Sequence, residues 1–293
     1  MDKRLIQHEY GFWTLEDKPG VEELQAYYAE KYYQQARGSY EHQYSDQEKA
    51  YFRTKLEQRH TVLKRVMPDA CSVLDVGCGE GFAMAYFRSQ GWSVKGLDFS
   101  AAGVEAQNPQ CRDQLLVGDV FALLAAETAA GRTYDVVWLQ NVLEHVLDPV
   151  DLMRSLKGLL TQGGVAVITV PNDFSAVQRE ALELGHIDRE FWVALPDHLS
   201  YFDHVSLPET ARQTGWSCVE LLGDFPIDWF LFHEGSNYVR DGARGKGAHR
   251  ARVQLENMIH QQPVDDVLAF WSAAGRIGIG RDLTCFLKCQ EAA

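Results

Sequence analysis

The sequence predicts an α/β fold built on a doubly wound, Rossmann-like sheet. Three observations lead to that prediction. From residue 71 to residue 172, short apolar segments alternate with helical patterns, the order typical of parallel strands joined by helices. The apolar run at 73–76 leads directly into a glycine-rich turn, and acidic residues stand where the next two strands should end. Doubly wound sheets bind ligands at such a strand-to-helix turn.

The first strand is followed by a turn with glycine at Gly77, Gly79 and Gly81, and then by a helix predicted from Phe82 to Gln90. Glycine adopts positive φ and lets a ligand approach the backbone, while the start of a helix presents unpaired N–H groups. The spacing is G-x-G-x-G instead of the dinucleotide pattern G-x-G-x-x-G, and Asp75 lies two residues before the first glycine. A carboxylate there is a poor neighbour for pyrophosphate and suits a ligand with cationic groups.

Three further apolar segments are predicted as strands, at 93–97, 114–118 and 134–139. The first ends at Asp98, the place where a ribose diol is usually held by an acidic side chain. The second ends at Asp119, which suits either a ligand contact or the N-cap of the helix that follows. The third leads into Gln140 and Asn141.

Together these segments resemble the class I S-adenosylmethionine-dependent methyltransferases, in the branch similar to the ubiquinone-biosynthesis O-methyltransferases. The matching motifs are VLDVGCGEG, GLDFS, GDV, YDVVWLQNVLEHVLDP and LLTQGGVAVITVPN, which span about residues 73–172. The resemblance implies S-adenosylmethionine as the cofactor and a seven-stranded sheet. It also places the last strand at Asp282–Cys289, antiparallel to a strand at Trp216–Leu222.

The resemblance implies a set of cofactor contacts by position. The glycine turn and Asp75 would contact the methionine part of the cofactor, and Asp98 would bind the ribose. Phe99, Asp119 and Val120 would contact the adenine. Gln140 and Asn141 would lie near the sulfonium. The full set is Asp75, Gly77, Cys78, Gly79, Gly81, Asp98, Phe99, Asp119, Val120, Gln140 and Asn141. Neutral amide oxygens can face a sulfonium without quenching its reactivity, and a carboxylate accepts two hydrogen bonds from a diol. Cys78 has an alternative interpretation as a small residue of the turn.

Composition limits the classes of partner. The chain has 293 residues and a formal net charge of −13, which argues against a nucleic-acid binder that relies on general basicity. Its six cysteines include no C-x-x-C pair, which favours reduced thiols in the cytoplasm. The first residues show no apolar core of a signal peptide, and no run approaches the length of a membrane span. We expect a small-molecule substrate, no membrane partner and a cytoplasmic location. The sequence does not determine the oligomeric state, and a homodimer is compatible with it.

We expect three parts in the chain: a helical N-terminal cover at 1–70, a cofactor-binding core at 71–222 plus 282–293, and a substrate-binding insertion at 223–281. In the first part, Ser45 with Glu48 three residues later predicts a capped helix. The tyrosines before it, including Tyr33, would either contact the substrate or pack helices onto the core. The insertion is too long for a plain loop and should have structure of its own.

The segment after residue 172 should form the acceptor side of the site. Helical character is predicted at 175–184 and again at 188–194. The run from His198 to Phe202 contains Tyr201 and matches a "His-Leu-x-x-Phe" segment that adjoins the substrate pocket in related methyltransferases. We therefore predict a substrate contact for Tyr201.

His145 and His198 are the leading candidates for a base that accepts the proton of a hydroxyl acceptor. Each could instead have a structural role, and methyl transfer is an in-line displacement that proceeds largely by positioning. In similar ubiquinone-type enzymes a Glu-His pair like Glu144–His145, with an acid where Asn141 stands here, can form a divalent-metal site. Because Asn141 replaces that acid, we expect no metal.

A basic run at 240–252 stands out in this acidic chain. The predicted substrate-binding side chains are those of Arg240, Arg244, Lys246 and Arg250, and the run also contains His249 and Arg252. Its glycines would let backbone N–H groups join the guanidinium groups around a phosphate, pyrophosphate or carboxylate. A solvated loop and helix start is the alternative.

The function predicted from the sequence is methyl transfer from S-adenosylmethionine to a small, anionic acceptor, with O-methylation of a nucleotide-linked or phosphorylated sugar as the first choice. The alternatives are O-methylation of a quinone or phenolic precursor, N-methylation of an amino sugar, and a non-catalytic S-adenosylmethionine-binding subunit. A nucleotide-dependent oxidoreductase is a rival from another class. It predicts binding of a reduced dinucleotide and a second phosphate-tolerant glycine turn, which the chain lacks.

Overall fold

The computed structural model describes residues 2–20, 22–24, 27 and 43–290. Tyr33 lies outside them. In chain order the elements are β1 (Leu5–Gln7), β2 (Trp13–Leu15), α1 (Asp46–Val66), β3 (Ser72–Val76), α2 (Phe82–Ser89), β4 (Ser93–Asp98), α3 (Ala102–Gln107), β5 (Leu115–Val117), α4 (Val120–Ala129), β6 (Tyr134–Gln140), α5 (Pro149–Ser155), β7 (Leu160–Pro171), α6 (Ala176–Glu183), β8 (Ser200–Tyr201), α7 (Ser206–Gln213), β9 (Trp216–Leu222), α8 (Gly245–Ile259), α9 (Val264–Arg276) and β10 (Asp282–Cys289).

Seven strands form the central sheet in the order β5-β4-β3-β6-β7-β10-β9. The five strands from β5 to β7 in that order are parallel, and β10 runs antiparallel between β7 and β9. The predicted fold, with its last strand antiparallel, is therefore confirmed. The chain passes from β3 outward through β4 and β5, then returns to the other side of β3 at β6. This reversal creates a crevice at the carboxyl ends of β3 and β6, where doubly wound sheets bind ligands.

The central strands are buried because helices cover both faces of the sheet. Leu74 and Val76 of β3 pack into the cluster on one face, while Val73 packs into the cluster on the other. Successive side chains of a strand point to opposite faces, so a strand buried on both sides must be apolar at every position. This explains the near-continuous apolar runs from which the strands were predicted, and it fixes the strand ends that carry the site.

The N-terminal part contains strands as well as a helix. The helix α1 begins after Ser45 with the predicted capping box between Ser45 and Glu48. Before it, β1 and β2 join β8 in a small antiparallel sheet that the sequence did not predict. Each of these strands has three residues or fewer, too few for an alternating pattern to be recognised.

The insertion at 223–281 contains two helices, of which α8 packs against α1 and α9 packs against β9. The helix predicted at 188–194 is wrong, because that segment is an irregular loop. Its apolar residues instead anchor the loop, with Trp192 buried against Phe174 at a ring distance of 5.5 Å. Among the described residues no helix has both the length and the apolar character needed to cross a membrane.

Candidate active site

A cleft of about 510 Å³ lies at the carboxyl ends of β3, β4 and β6. The strand ends and the glycine turn form one wall, and side chains of α1 and α8 form the other. Its volume lies within the range typical of small-molecule sites.

The glycine turn supplies backbone to this wall. Gly77, Gly79 and Gly81 have φ values of +68°, +54° and +73°, a region that other residues rarely adopt. A Cβ atom at Gly77 would lie only 2.6 Å from Cγ2 of Val142 across the turn. The backbone N–H groups of Gly77 and Cys78 both donate to the Leu97 carbonyl at the end of β4, at 2.8 and 3.1 Å. The turn is thus fixed between two strand ends with its backbone open to the cleft.

Asp98, the last residue of β4, is 7% exposed and lines the cleft. Its Oδ2 accepts from the Gly79 N–H at 2.8 Å and its Oδ1 accepts from the Ser100 N–H at 3.0 Å. Burial raises the pKa of this carboxyl group, and the backbone donors oppose that shift. Because each carboxylate oxygen has a second acceptor position, Asp98 can also accept hydrogen bonds from a diol.

Asp75 is 3% exposed, and no donor among the residues that the structure describes forms a hydrogen bond to its carboxyl group. Burial, and secondarily the charge of Asp98, raises its pKa to about 8. A buried carboxyl group without donors is stabilised by a cationic partner. The pair of acids therefore fits S-adenosylmethionine, which brings an ammonium group and a ribose diol, and these residues would hold it.

Most of the predicted cofactor residues line this one cleft: Asp75, Gly77, Cys78, Gly79, Asp98, Phe99, Val120, Gln140 and Asn141. Two do not. Gly81 is the N-cap of α2, in the left-handed conformation. Asp119 is the N-cap of α4 and accepts from the Ala122 N–H at 2.8 Å, in agreement with the capping alternative.

The end of β6 is held from across the cleft. Arg59 of α1 is buried, donates to Oε1 of Gln140 at 2.8 Å, and lies 5.7 Å from the ring centre of Trp138. Asn141 has a φ of +55°, which asparagine tolerates better than most residues, and its N–H donates to Thr169. Sequence reasoning missed Arg59, because nothing in the helical pattern distinguishes it from the exposed Arg53 six residues earlier.

His145 lines the cleft, and its ring contacts that of His198 with 4.9 Å between ring centres. The Nδ1 atom of His145 lies 2.8 Å from the backbone oxygen of Asp197. A carbonyl oxygen can only accept, so we assign the proton to Nδ1, which leaves the lone pair of neutral His145 on Nε2. The predicted histidines therefore come together, with one of them in the cleft and the other behind it.

Glu144 completes this group; the sequence placed it beside His145 in a pair for which we expected no metal. It is buried, and its carboxyl oxygens accept no hydrogen bond within the described ranges. Burial raises its pKa well above the ordinary value. Glu144, His145 and His198 each offer a ligand atom within 4.8 Å of the others, a set that a divalent cation could use. The expectation that no metal binds remains a prediction.

The predicted substrate residues that the structure describes lie apart from the cleft. Tyr201 is buried, and its hydroxyl donates to the His198 carbonyl at 2.9 Å, so it supports the loop that carries His198. Arg240 donates to the Gly185 carbonyl, and Arg244 pairs with Asp241. Lys246 and Arg250 are exposed on α8. Of the basic run, Arg252 alone is among the residues that line the described cleft.

Comparison with known proteins agrees with this geometry. The profile of a family described as a methyltransferase domain matches residues 39–221. The ubiquinone biosynthesis O-methyltransferase of Histophilus somni (strain 2336) is 33% identical over 158 residues, which cover 52% of this chain and 66% of that protein. The one from Psychrobacter arcticus is 35% identical over 162 residues, which cover 52% of this chain and 61% of that protein. The matched region thus spans less than two thirds of the length of these relatives.

Among solved structures, the [4+2]-cyclase SpnF superposes with a TM-score of 0.51 at 16% identity, covering 94% of this chain and 98% of that chain. At this identity the similarity concerns the fold, and one fold can carry different chemistries.

Proposed function

Because this chain belongs to the methyltransferase-domain family and takes S-adenosylmethionine as its cofactor, we propose that it methylates a hydroxyl oxygen of a small acceptor. One observation carries the choice of oxygen: His145 faces the same cleft as Asp75 and Asp98, with its basic nitrogen assigned to Nε2. A hydroxyl is a weak nucleophile until a base takes its proton.

The bound cofactor supplies a methyl group made electrophilic by a positively charged sulfur. The chain positions the two reactants: Asp75 and Asp98 hold the cofactor, and Arg59 orients the Gln140 amide at the end of β6. His145 Nε2 accepts the proton of the acceptor hydroxyl as that oxygen bonds to the methyl carbon; the carbon–sulfur bond of the cofactor would break with its electron pair left on sulfur. The Asp197 carbonyl stabilises the resulting imidazolium through its hydrogen bond to Nδ1.

A phenolic acceptor, such as a quinone precursor, is the better supported class. Two relatives are named as ubiquinone biosynthesis O-methyltransferases. The cleft also has an aromatic wall in which Tyr44, Phe52 and Phe82 contact one another, with ring centres 4.8 to 5.6 Å apart. Aromatic side chains stack well on a planar ring. A nucleotide-linked or phosphorylated sugar is the second candidate, favoured by the cationic side chains opposite the glycine turn.

The experiment uses S-adenosylmethionine with an isotopically labelled methyl group and two acceptor classes, catechols and uridine diphosphate sugars, followed by mass spectrometry of the products. We expect an O-methylated product from at least one class. His145→Ala should lower kcat at neutral pH by about 100-fold or more, the usual contribution of a general base. The affinity for S-adenosylhomocysteine should change by no more than about twofold, since Asp75 and Asp98 remain.

His186→Ala is the matched control, because His186 is a half-buried histidine that contacts Phe232 away from the cleft. Added chelator distinguishes the two roles open to the histidines. If His145 acts as a base, the enzyme keeps its activity in chelator. If the histidines bind a metal ion, the enzyme loses its activity in chelator and regains it when Mg²⁺ is added. Label found only on nitrogen, or no labelled product while S-adenosylhomocysteine binds, would contradict the proposal.

The same cleft supports a proposal about the parts of the chain. We propose that the N-terminal segment to residue 70 and the insertion at 223–281 form the acceptor side, because their helices α1 and α8 supply the wall opposite the glycine turn. The cytoplasm remains the proposed location, since the six cysteines are free thiols.

A further inference from the structure

The cleft wall opposite the glycine turn carries an unusual density of charge. The charged side chains that line it are Lys55 and Arg59 of α1, Arg252 of α8 and Asp282 of β10, and the neutral Tyr51 of α1 lies among them. Burying charges away from water is unfavourable unless each one has a partner. A buried charge that has no partner in the protein therefore indicates the charge that a ligand must supply.

Two of the cations already have partners. Lys55 forms an ion pair with Asp224, with 2.8 Å between Nζ and Oδ2, and donates to the Tyr51 hydroxyl at 3.2 Å. Asp224 also accepts from the backbone N–H groups of Arg281 and Asp282, at 2.7 and 2.8 Å, so its oxygens are occupied. Arg59 donates to Gln140.

Arg252 differs from both. Its guanidinium lies 5.3 Å from the ring centre of Tyr51. In the part of the chain that the structure describes it makes no hydrogen bond or ion pair, and its Nε is buried without an acceptor. Buried donors are nearly always paired in folded proteins, by protein or by something bound to it. A guanidinium group with free donors at a ligand cleft matches the planar oxygens of a carboxylate or phosphate.

The position of Arg252 is fixed by contacts on both sides. His249, one turn earlier in α8, pairs with Glu48 of α1 at 3.1 Å. Asn257, just over one turn later, donates to the backbone oxygen of Gln47 at 2.9 Å. These contacts hold α8 on α1, so the backbone that carries Arg252 is already in place before a ligand arrives, which reduces the entropy lost on binding.

The local charge balance also favours an anion. The three cations are accompanied by the carboxyl groups of Asp224, Asp282 and Glu256. Burial raises the pKa of Glu256 to about 7, and burial also raises the pKa of Asp282. When Glu256 is protonated, three cations remain with two carboxylates, and an added anion restores the balance.

We infer that Arg252, supported by Lys55 and Arg59, binds an anionic group of the methyl acceptor, a carboxylate or a phosphate. This inference rests on the proposed function. It differs from the anion site predicted in the sequence, because it places the contact on the inward face of α8.

The test is calorimetric titration of the 293-residue chain saturated with S-adenosylhomocysteine, using two pairs of ligands. The first pair is 3,4-dihydroxybenzoate and its neutral analogue 3,4-dihydroxybenzyl alcohol; the second is glucose 1-phosphate and glucose. We expect the wild type to bind the charged member of at least one pair about tenfold or more tightly than the neutral member. Which pair shows the preference distinguishes carboxylate from phosphate.

Arg252→Gln should reduce that preference to about onefold and leave the affinity for the neutral ligand within about twofold. Arg252→Lys keeps the charge and loses the planar pair of donors, so we expect an intermediate preference. Circular dichroism checks that both variants are folded. Arg179→Gln is the charge control, since Arg179 is exposed on α6, and Arg250→Gln separates this subsite from the rest of the basic run.

Two results would overturn the inference: equal wild-type affinity for charged and neutral ligands in both pairs, or an unchanged preference in folded Arg252→Gln protein. Binding and turnover separate the two proposals. If the charged ligand binds through Arg252 but no hydroxyl acceptor is methylated, the subsite stands and the proposed function fails. If acceptors are methylated and Arg252→Gln keeps the preference, the function stands and the subsite fails.

Discussion

At the scale of single residues, the site depends on two buried carboxyl groups whose electrostatic situations differ. Asp98 accepts hydrogen bonds from the backbone N–H groups of Gly79 and Ser100, which stabilise its charged form. Asp75 has no such donors among the described residues and lies close enough to Asp98 to be affected by its charge. The protein alone therefore stabilises one charge and leaves the other to a ligand, which is the arrangement expected for a site that selects a cationic molecule.

Asp75 leads to a prediction about pH. Its pKa is about 8 in the folded protein against 3.8 as the ordinary value. Between those values the folded, ligand-free protein holds a proton that the unfolded chain does not. The contribution of Asp75 to stability is therefore fully present below about pH 4 and is lost as the pH rises through about 8. A ligand whose ammonium group needs the ionised form must displace that proton.

We therefore expect S-adenosylhomocysteine to bind with release of protons at neutral pH, and its affinity to rise from about pH 6 to about pH 8 by up to about tenfold per unit. Calorimetry at pH 7 in buffers of different ionisation enthalpy measures the release. Asp75→Asn serves as the control, because it should bind more weakly and without this pH dependence. Equal affinities at the two ends of the range, with no proton release, would refute the assignment.

At the scale of elements, the glycine turn joins β3 to α2 in a conformation that only glycine adopts easily. Gly77 has a φ of +68°, and a Cβ atom added there would lie 2.6 Å from Cγ2 of Val142. Gly91, after α2, has a φ of +83°, and a Cβ atom added there would meet no atom within 4 Å. Both positions carry the backbone penalty of a non-glycine residue, about 1–2 kcal/mol. Only Gly77 adds a steric clash at the cleft.

Gly77→Ala should therefore reduce the free energy of unfolding by about 1–2 kcal/mol more than Gly91→Ala does. It should also weaken S-adenosylhomocysteine binding by about tenfold or more, because the displaced Val142 borders the cleft. Urea unfolding and calorimetry provide the two measurements. If Gly77→Ala and Gly91→Ala had the same effect on the free energy of unfolding and on S-adenosylhomocysteine affinity, the glycine turn would not form a wall of the binding site.

Elements also show what the sequence could and could not predict. The strand–turn–helix from β3 to α2 was predictable, since buried parallel strands leave continuous apolar runs and the turn needs glycine. The three-residue strands β1 and β2 leave no such pattern. Within α8 the charge run was visible but its orientation was not. Ala248, Arg252 and Glu256 recur every four residues on the inward face, whereas Arg250 is rotated to the outside.

At the scale of the whole molecule, the cleft has two halves with different origins. The sheet supplies the cofactor half at the point where its strand order reverses, and its acids follow from motifs that are contiguous in sequence. The other half is assembled from α1, α8 and the start of β10, segments far apart in the chain. That separation explains why the strand-end acids could be predicted to lie together, while Arg59 was missed and the inward position of Arg252 required the folded chain.

The central claim, that S-adenosylmethionine binds in this cleft with Asp98 as a principal contact, has one direct test. It is the calorimetric titration of wild type and Asp98→Ala with S-adenosylhomocysteine, with NAD as the competing ligand. We predict that the wild type binds S-adenosylhomocysteine and not NAD. The variant should bind about 100-fold more weakly, as expected for the loss of hydrogen bonds to a charged group. Unchanged affinity in a folded Asp98→Ala protein, or tighter binding of NAD by the wild type, would contradict the account.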